Sequence, residues 1–297
     1  MYYRLKGVFL NMNIQKLTLT LAALFIMTVS ATAQNLEGGA PGPNDPDVDM
    51  YMASWQESMP THTHGSLIER AILSRGDALS PPRRGAVLKF VKRFTHGSLA
   101  EKSSTTPTTL SGEQEVFYII SGEGTIHWKG KSESISEGCC ILIPEGLEFS
   151  MKNSGSGALT MYVIVEETPE GFNPVKDIVI RSNNKVPFNT NIGHWSYQEK
   201  DLLLGHHGLA ELHAVITLTL KPMSIGHPHF HVEGTEEAWT TISGDNIAWL
   251  GKEIRTQAVG TAYMIPPDGR TNHSNINKSM TEPVVMLYFA VRNDLKR

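Results

Sequence analysis

A large part of this chain is written twice. Shifted by 122 positions, SGEQEVFYIISG at 111–122 falls on EGTEEAWTTISG at 233–244, and the same shift lays Gly138 on Gly260 and Pro144 on Pro266. Two further residues of loop raise the shift to 124, which places Phe149 and Asn153 on His273 and Asn277. A repeat this long is a domain rather than a motif, so the chain must build two copies of one fold. Each copy consists of short alternating stretches broken by Gly, Pro and Asn, with no long amphipathic helical pattern. That predicts an all-β protein of two similar barrels.

The copies differ where chemistry would sit. In the second, HPHFH supplies His227, His229 and His231 at alternate positions, which share one face if the segment is extended, and two such imidazoles can hold one ion. Glu236 and Glu237 follow, and His273 comes 36 residues after Glu237. The first copy keeps Glu115 but has Pro107, Thr109 and Phe149 where the second has His229, His231 and His273. A lone carboxylate cannot hold a divalent transition metal against water. The first copy is therefore expected to be metal-free and structural, packing on the second, covering a sheet edge or shaping the mouth of its pocket.

Taken in order, His229, His231, the glutamates, Gly244, Gly260, Pro266, Gly269, His273 and Asn277 resemble the two motifs of the cupin superfamily. The resemblance implies two tandem cupin barrels (double-stranded β-helix, or jelly roll) and a metal held in the second by three histidines and one glutamate. Carried over residue by residue, the ligands are His229, His231, Glu237 and His273. The pattern departs from the family's in three ways. Spacing from His231 fits Glu236 whereas spacing to Gly244 fits Glu237, Met223 stands where a glycine is expected, and three residues rather than two separate Gly269 from His273. Glu237 is preferred because it keeps the distance to Gly244 that Glu115 keeps to Gly122; loops absorb an extra residue and strand register does not.

Four protein ligands on a six-coordinate ion leave two open positions, the mark of a catalytic site. Nitrogen and oxygen ligands without sulfur suit one divalent ion of Mn, Fe, Co, Ni, Cu or Zn. Around the ligands, Glu236 and then His227 are the candidates for general acid or base. Arg270 is a candidate to meet a substrate carboxylate, or else a solvated loop charge. Trp239 shares the face of Glu237 as a pocket wall or a core residue. A second histidine pair, His62 and His64, is followed by Glu69 and Gly76 at motif-like spacing. No second motif follows it, so the segment is read as an arm lying on a barrel, with the roles of both histidines open. His194, His206, His207 and His213 are read as packing or surface groups.

The domain boundaries expected are 1–33 signal peptide, 34–84 extended N-terminal arm, 85–166 metal-free barrel, 167–205 linker docked on a barrel, and 206–297 metal-binding barrel. Met12 opens the better export signal, with Lys16, the apolar run LTLTLAALFIMTVS and the cleavage site Ala31-Thr32-Ala33. That run is about fourteen residues, too short to span a bilayer, so stable membrane insertion is not expected and the protein is expected to be periplasmic or secreted. Cys139 and Cys140 are adjacent, a pair too strained for a mutual disulfide on a strand, and are read as small core residues. The formal net charge of −4 disfavours nucleic acid as a partner; a small-molecule substrate is expected, and homo-oligomerisation is compatible with the sequence.

Three classes of function stay open. A dioxygenase- or decarboxylase-like enzyme would act on an enediol, 2-oxo acid, phenol or uronate; an isomerase or lyase would act on sugars or uronates in polysaccharide breakdown; a non-catalytic barrel would bind a small ligand such as a sugar. The fold does not choose among them. Expressed in an exporting host, the protein is expected to start at Gln34, which intact-mass measurement checks. A mass retaining residues 12–33 would show an uncleaved anchor instead.

Overall fold

The structure, a computed structural model, describes residues 45–189 and 196–292. The signal peptide, the leader up to residue 44 and His194 lie outside the described residues. Within them the chain is almost entirely antiparallel β-structure arranged as two barrels, each built from one large and one small sheet. In the first barrel the large sheet runs, neighbour to neighbour, through Val179–Ser182, Cys139–Ile143, Glu113–Ser121, Leu159–Glu167, Val91–Leu99, Leu67–Arg75 and Pro60–Thr63. In the second it runs through Met52–Ser54, Thr261–Ile265, Thr235–Ser243, Val284–Arg292, Leu212–Leu220 and Tyr197–Leu204.

The repeat therefore extends further than its aligned sequence, and two boundaries move. Leu67–Arg75 pairs with Val91–Leu99, and Tyr197–Leu204 pairs with Leu212–Leu220; both are barrel strands, not arm or linker. Each had to be recruited because the strand beside it would otherwise present an open edge. The arm and linker do act at the opposite edge. Met52–Ser54 closes on Thr261–Ile265, and Val179–Ser182 closes on the equivalent strand Cys139–Ile143. Gly122 and Gly244 each follow the end of a strand with φ of +90° and +91°. A Cβ on either would also press into the carbonyl of the returning strand, 2.8 Å from Ala158 O or 2.5 Å from Pro283 O, so both positions require glycine.

Strand alternation sorts side chains into two cores. On Glu113–Ser121, Phe117 and Ile119 face inward with Phe149, Met151 and Met161, filling the first barrel with hydrocarbon. Val116 and Tyr118 face outward into a second cluster that joins the two large sheets and includes Phe94, Tyr162, Trp239 and Phe289. The rings of Phe94 and Phe289 lie 5.0 Å apart across this contact, and Tyr162 donates to the carbonyl of Thr241. Cys139 and Cys140, both free and buried, fall one in each cluster, as adjacent strand residues must.

Between the barrels two buried carboxylates cap the starts of equivalent strands. Glu236 of the second barrel accepts from the backbone N–H groups of Lys89, Phe90 and Val91. Glu166 of the first accepts from those of Ala210, Glu211 and Leu212 and from the Gln114 amide. Burial raises the pKa of both, against the pull of the N–H donors, and carries Glu236 to about 7. A carboxyl pKa raised on folding favours the native state below its ordinary value of 4.5 and loses that contribution as pH climbs through the folded value. Glu166→Gln is thus expected to flatten the fall in melting temperature above pH 4.5, whereas Glu166→Ala, leaving three N–H groups without an acceptor, should cost about 2–4 kcal/mol. Thermal melts at several pH values check the first and chemical denaturation the second; an unchanged pH profile in the Gln variant would contradict the first.

Candidate metal centre

Four side chains from three segments converge inside the second barrel. His229, His231, Glu237 and His273 each present one ligand-type atom, all within 4.8 Å of one another. Glu237 is placed by strand register, fully buried and facing inward at the start of Thr235–Ser243. His273 opens the strand His273–Asn277. The histidine-rich segment is held to that strand by a reciprocal backbone pair, His273 N to His229 O at 2.9 Å and His229 N to His273 O at 3.3 Å. Alternation then turns His229 and His231 the same way, toward Glu237.

The polar atoms of the cluster fit an ion better than they fit each other. His231 Nε2 lies 2.8 Å from Glu237 Oε2, and His273 Nε2 lies 3.1 Å from Oε1. Yet His231 Nε2 and Glu237 Oε2 are buried and make no hydrogen bond of acceptable geometry, an arrangement that is costly unless a cation sits among them. Separations within 4.8 Å need to close by only a few tenths of an ångström to put every donor about 2.0–2.2 Å from one ion. His229 Nδ1 donates to the carbonyl of His227 at 2.8 Å, which fixes the tautomer that leaves Nε2 as a ligand. Burial alone would raise the Glu237 pKa, but His231 and His273 hold it well below the usual carboxylate range, so the group is a carboxylate.

Aromatic side chains surround this carboxylate. Trp239 donates its indole N–H to Glu237 Oε1, and the Tyr288 hydroxyl also bonds Glu237. Burial, then the charge of Glu237, pushes the Tyr288 pKa well above 10, leaving it a neutral donor. Tyr197 stands over Trp239 with ring centroids 5.4 Å apart. Sequence reasoning reached Trp239 but missed Tyr288 and Tyr197. Tyr288 occupies an ordinary inward position of an apolar strand, and the one available signal was its pairing with Trp239 where the first barrel pairs Val163 with Phe117.

The three expected acid, base and anion-binding residues are placed elsewhere. Glu236 faces away from the cluster into the inter-barrel contact, because neighbours on a strand point to opposite faces. His227 stacks on His229 at 5.4 Å and lies outside the convergent set, contributing its carbonyl rather than its ring. Arg270 lies on the surface, its Nε 3.5 Å from Asp268 and its side chain 59% exposed. Asp268 accepts from the N–H groups of Arg270 and Thr271, and this turn sends the arginine outward.

In the first barrel the matching interior position is taken by a histidine from the arm. His64 Nε2 lies 3.0 Å from Glu115 Oε2, with the imidazole edge-on to Phe149 at 5.4 Å. Arg93 Nη2 donates to the other oxygen of Glu115 at 3.0 Å, and its Nε stands 3.6 Å from Glu69. Glu115 thus has two basic partners, His64 and Arg93, and among the described residues it belongs to no group of candidate metal ligands. The turn that delivers His64 has φ of +45° there and +78° at Gly65, where a Cβ would lie 2.2 Å from Thr106 Oγ1. His62 stays exposed.

Comparison with known proteins agrees with this architecture. The cupin domain family matches residues 98–165, in the first barrel, and no curated protein matches the chain by sequence. Solved structures of the same fold include protein Ylba from E. coli, with 15% identity over 82% of this chain and 90% of that one, TM-score 0.62. Vicilin from Corylus avellana is 12% identical over 81% and 85%, TM-score 0.61. A deletion mutant of Bacillus subtilis oxalate decarboxylase is 15% identical over 86% and 80%, TM-score 0.61. At such identities the likeness is one of fold. The chain has the fold of two tandem cupin barrels, matches the cupin domain family over part of the first, and carries its convergent histidine and glutamate cluster in the second.

His64→Ala is expected to cost the first barrel about 1–3 kcal/mol, since it leaves a buried carboxylate with one partner fewer. Metal content should not change. Loss of metal on that substitution, read by elemental analysis, would contradict the separation of the two pockets.

Proposed function

We propose that the second barrel binds one divalent transition metal ion through His229, His231, Glu237 and His273, and that the protein is an exported, metal-dependent enzyme. Its substrate is a small oxygen-rich molecule that chelates the ion, and its reaction is decarboxylase- or dioxygenase-like. The observation that carries the reading is the pair of buried atoms His231 Nε2 and Glu237 Oε2, which face each other without a hydrogen bond inside a four-residue cluster. When bound, the ion would act as a Lewis acid on substrate oxygens.

The residues around it define what can be held there. Among the described residues no lysine or arginine is buried, so a divalent ion and the Glu237 carboxylate leave about one positive charge to be matched. That favours a substrate binding as a monoanion through two adjacent oxygens, such as an enediolate, a 2-oxo acid or a phenolate, over a dianion. The walls are aromatic and His273 and Glu237 are fully buried, which keeps bulk water from competing for hydrogen bonds.

Protein purified without a histidine tag is expected to carry one transition-metal ion per chain and to lose it in the His229→Ala/His231→Ala variant. Glu237→Gln should weaken metal affinity by roughly ten-fold or more, and Glu236→Gln should leave metal content intact because its side chain serves the other barrel. Two ions per chain, or one that survives loss of both histidines, would overturn the assignment. Oxygen uptake with a candidate phenol or enediol marks a dioxygenase and oxygen-independent release of carbon dioxide a decarboxylase. Tight binding without turnover would reduce the protein to a ligand carrier.

A further inference from the structure

Glu237 is held by two donors that its counterpart lacks. Its Oε1 accepts from the Trp239 indole, and the carboxylate is also bonded by the Tyr288 hydroxyl. Trp239 and Tyr288 sit opposite one another on adjacent strands, their rings edge-to-face at 5.3 Å. In the first barrel the same cross-strand pair is Phe117 and Val163, which pack without offering any polar hydrogen. Filling a barrel interior at this point therefore needs no donors. The barrel with the ligand cluster has them and the barrel without it does not.

Their placement divides the carboxylate into two unlike oxygens. Oε1 accepts from the indole and also lies 3.1 Å from His273 Nε2, whereas Oε2 faces His231 Nε2 at 2.8 Å with no hydrogen bond of its own. We propose that Trp239 and Tyr288 are positioning residues that keep Glu237 a one-oxygen ligand through Oε2, so that the ion keeps two open positions and the site selects substrates that chelate with two oxygens. The inference rests on the reading of the cluster as a metal centre. The physical ground is simple: a carboxylate can bind an ion with one or both oxygens, and an oxygen engaged by a buried N–H donor gives up that hydrogen bond if it turns to the metal. Relieved of both donors, Glu237 can supply both oxygens and close one of the two positions.

The test compares wild-type protein with Tyr288→Phe and with Trp239→Phe/Tyr288→Phe, each loaded with the ion that wild-type protein takes up. Acetohydroxamate serves as a two-oxygen probe and azide as a one-position probe, both followed by titration calorimetry. The double variant is expected to keep its ion and bind acetohydroxamate roughly ten-fold more weakly while azide affinity stays within about two-fold, with Tyr288→Phe intermediate. Melting temperatures of the ion-free proteins check that the barrel stays folded, and Tyr288→Phe, which removes only a hydroxyl, supplies the measurement if the double variant fails to fold. Equal weakening of both probes, no weakening of either, or loss of the ion would overturn the inference. Wild-type protein that takes up no ion would instead overturn the metal reading beneath it.

Discussion

A buried carboxylate at one interior position, Glu115 in the first barrel and Glu237 in the second, sets the terms for both halves of the molecule. Neither is exposed to solvent, and a carboxylate out of water must be matched by positive charge or strong donors. The first barrel meets the demand from within, bringing Arg93 from a strand and His64 from the arm. The second surrounds Glu237 with three imidazoles and two aromatic donors, a set that suits a divalent cation. The same fold thus carries two buried glutamates, and the difference between the barrels lies in what surrounds each.

The rest of the architecture follows from keeping these two interiors in register. The large sheets pack through Phe94, Tyr162 and Phe289, and the edge strands are covered crosswise, one by Met52–Ser54 and the other by Val179–Ser182. Glu166 and Glu236 add directional contacts, each reaching across to cap backbone groups of the other barrel. Through Glu236 the strand that bears the candidate ligand Glu237 is anchored to the first barrel by the adjacent residue. The first barrel therefore braces the strand that carries the candidate metal ligand.

Much of this was legible in the sequence, and for identifiable reasons. Turn glycines, alternating apolar positions and the shift of 122 fix the duplicated strands, and histidines at alternate positions followed by a glutamate mark the cluster. Register points to Glu237 rather than Glu236, and Glu237 is the member that faces His231 and His273. The same alternation places Glu236 on the opposite face and removes it from the site. Arg270 could not be placed beforehand because its direction depends on the Asp268 turn. The first strand of each barrel was missed because Leu67–Arg75 and Tyr197–Leu204 stand outside the aligned repeat. The role of His64 stayed open for a related reason: its partner Glu115 is distant in sequence, and only the fold of the arm brings them together.

The central claim is that one barrel holds a metal ion and the other, with an equivalent glutamate, does not. Anomalous diffraction from crystals of the untagged protein, recorded on both sides of the absorption edges of Mn, Fe, Co, Ni, Cu and Zn, tests it directly. The account predicts a single peak per chain, within bonding distance of His229, His231, Glu237 and His273, and none beside Glu115. A peak between Glu115 and His64, or none in the second barrel of protein never exposed to chelator, would contradict it.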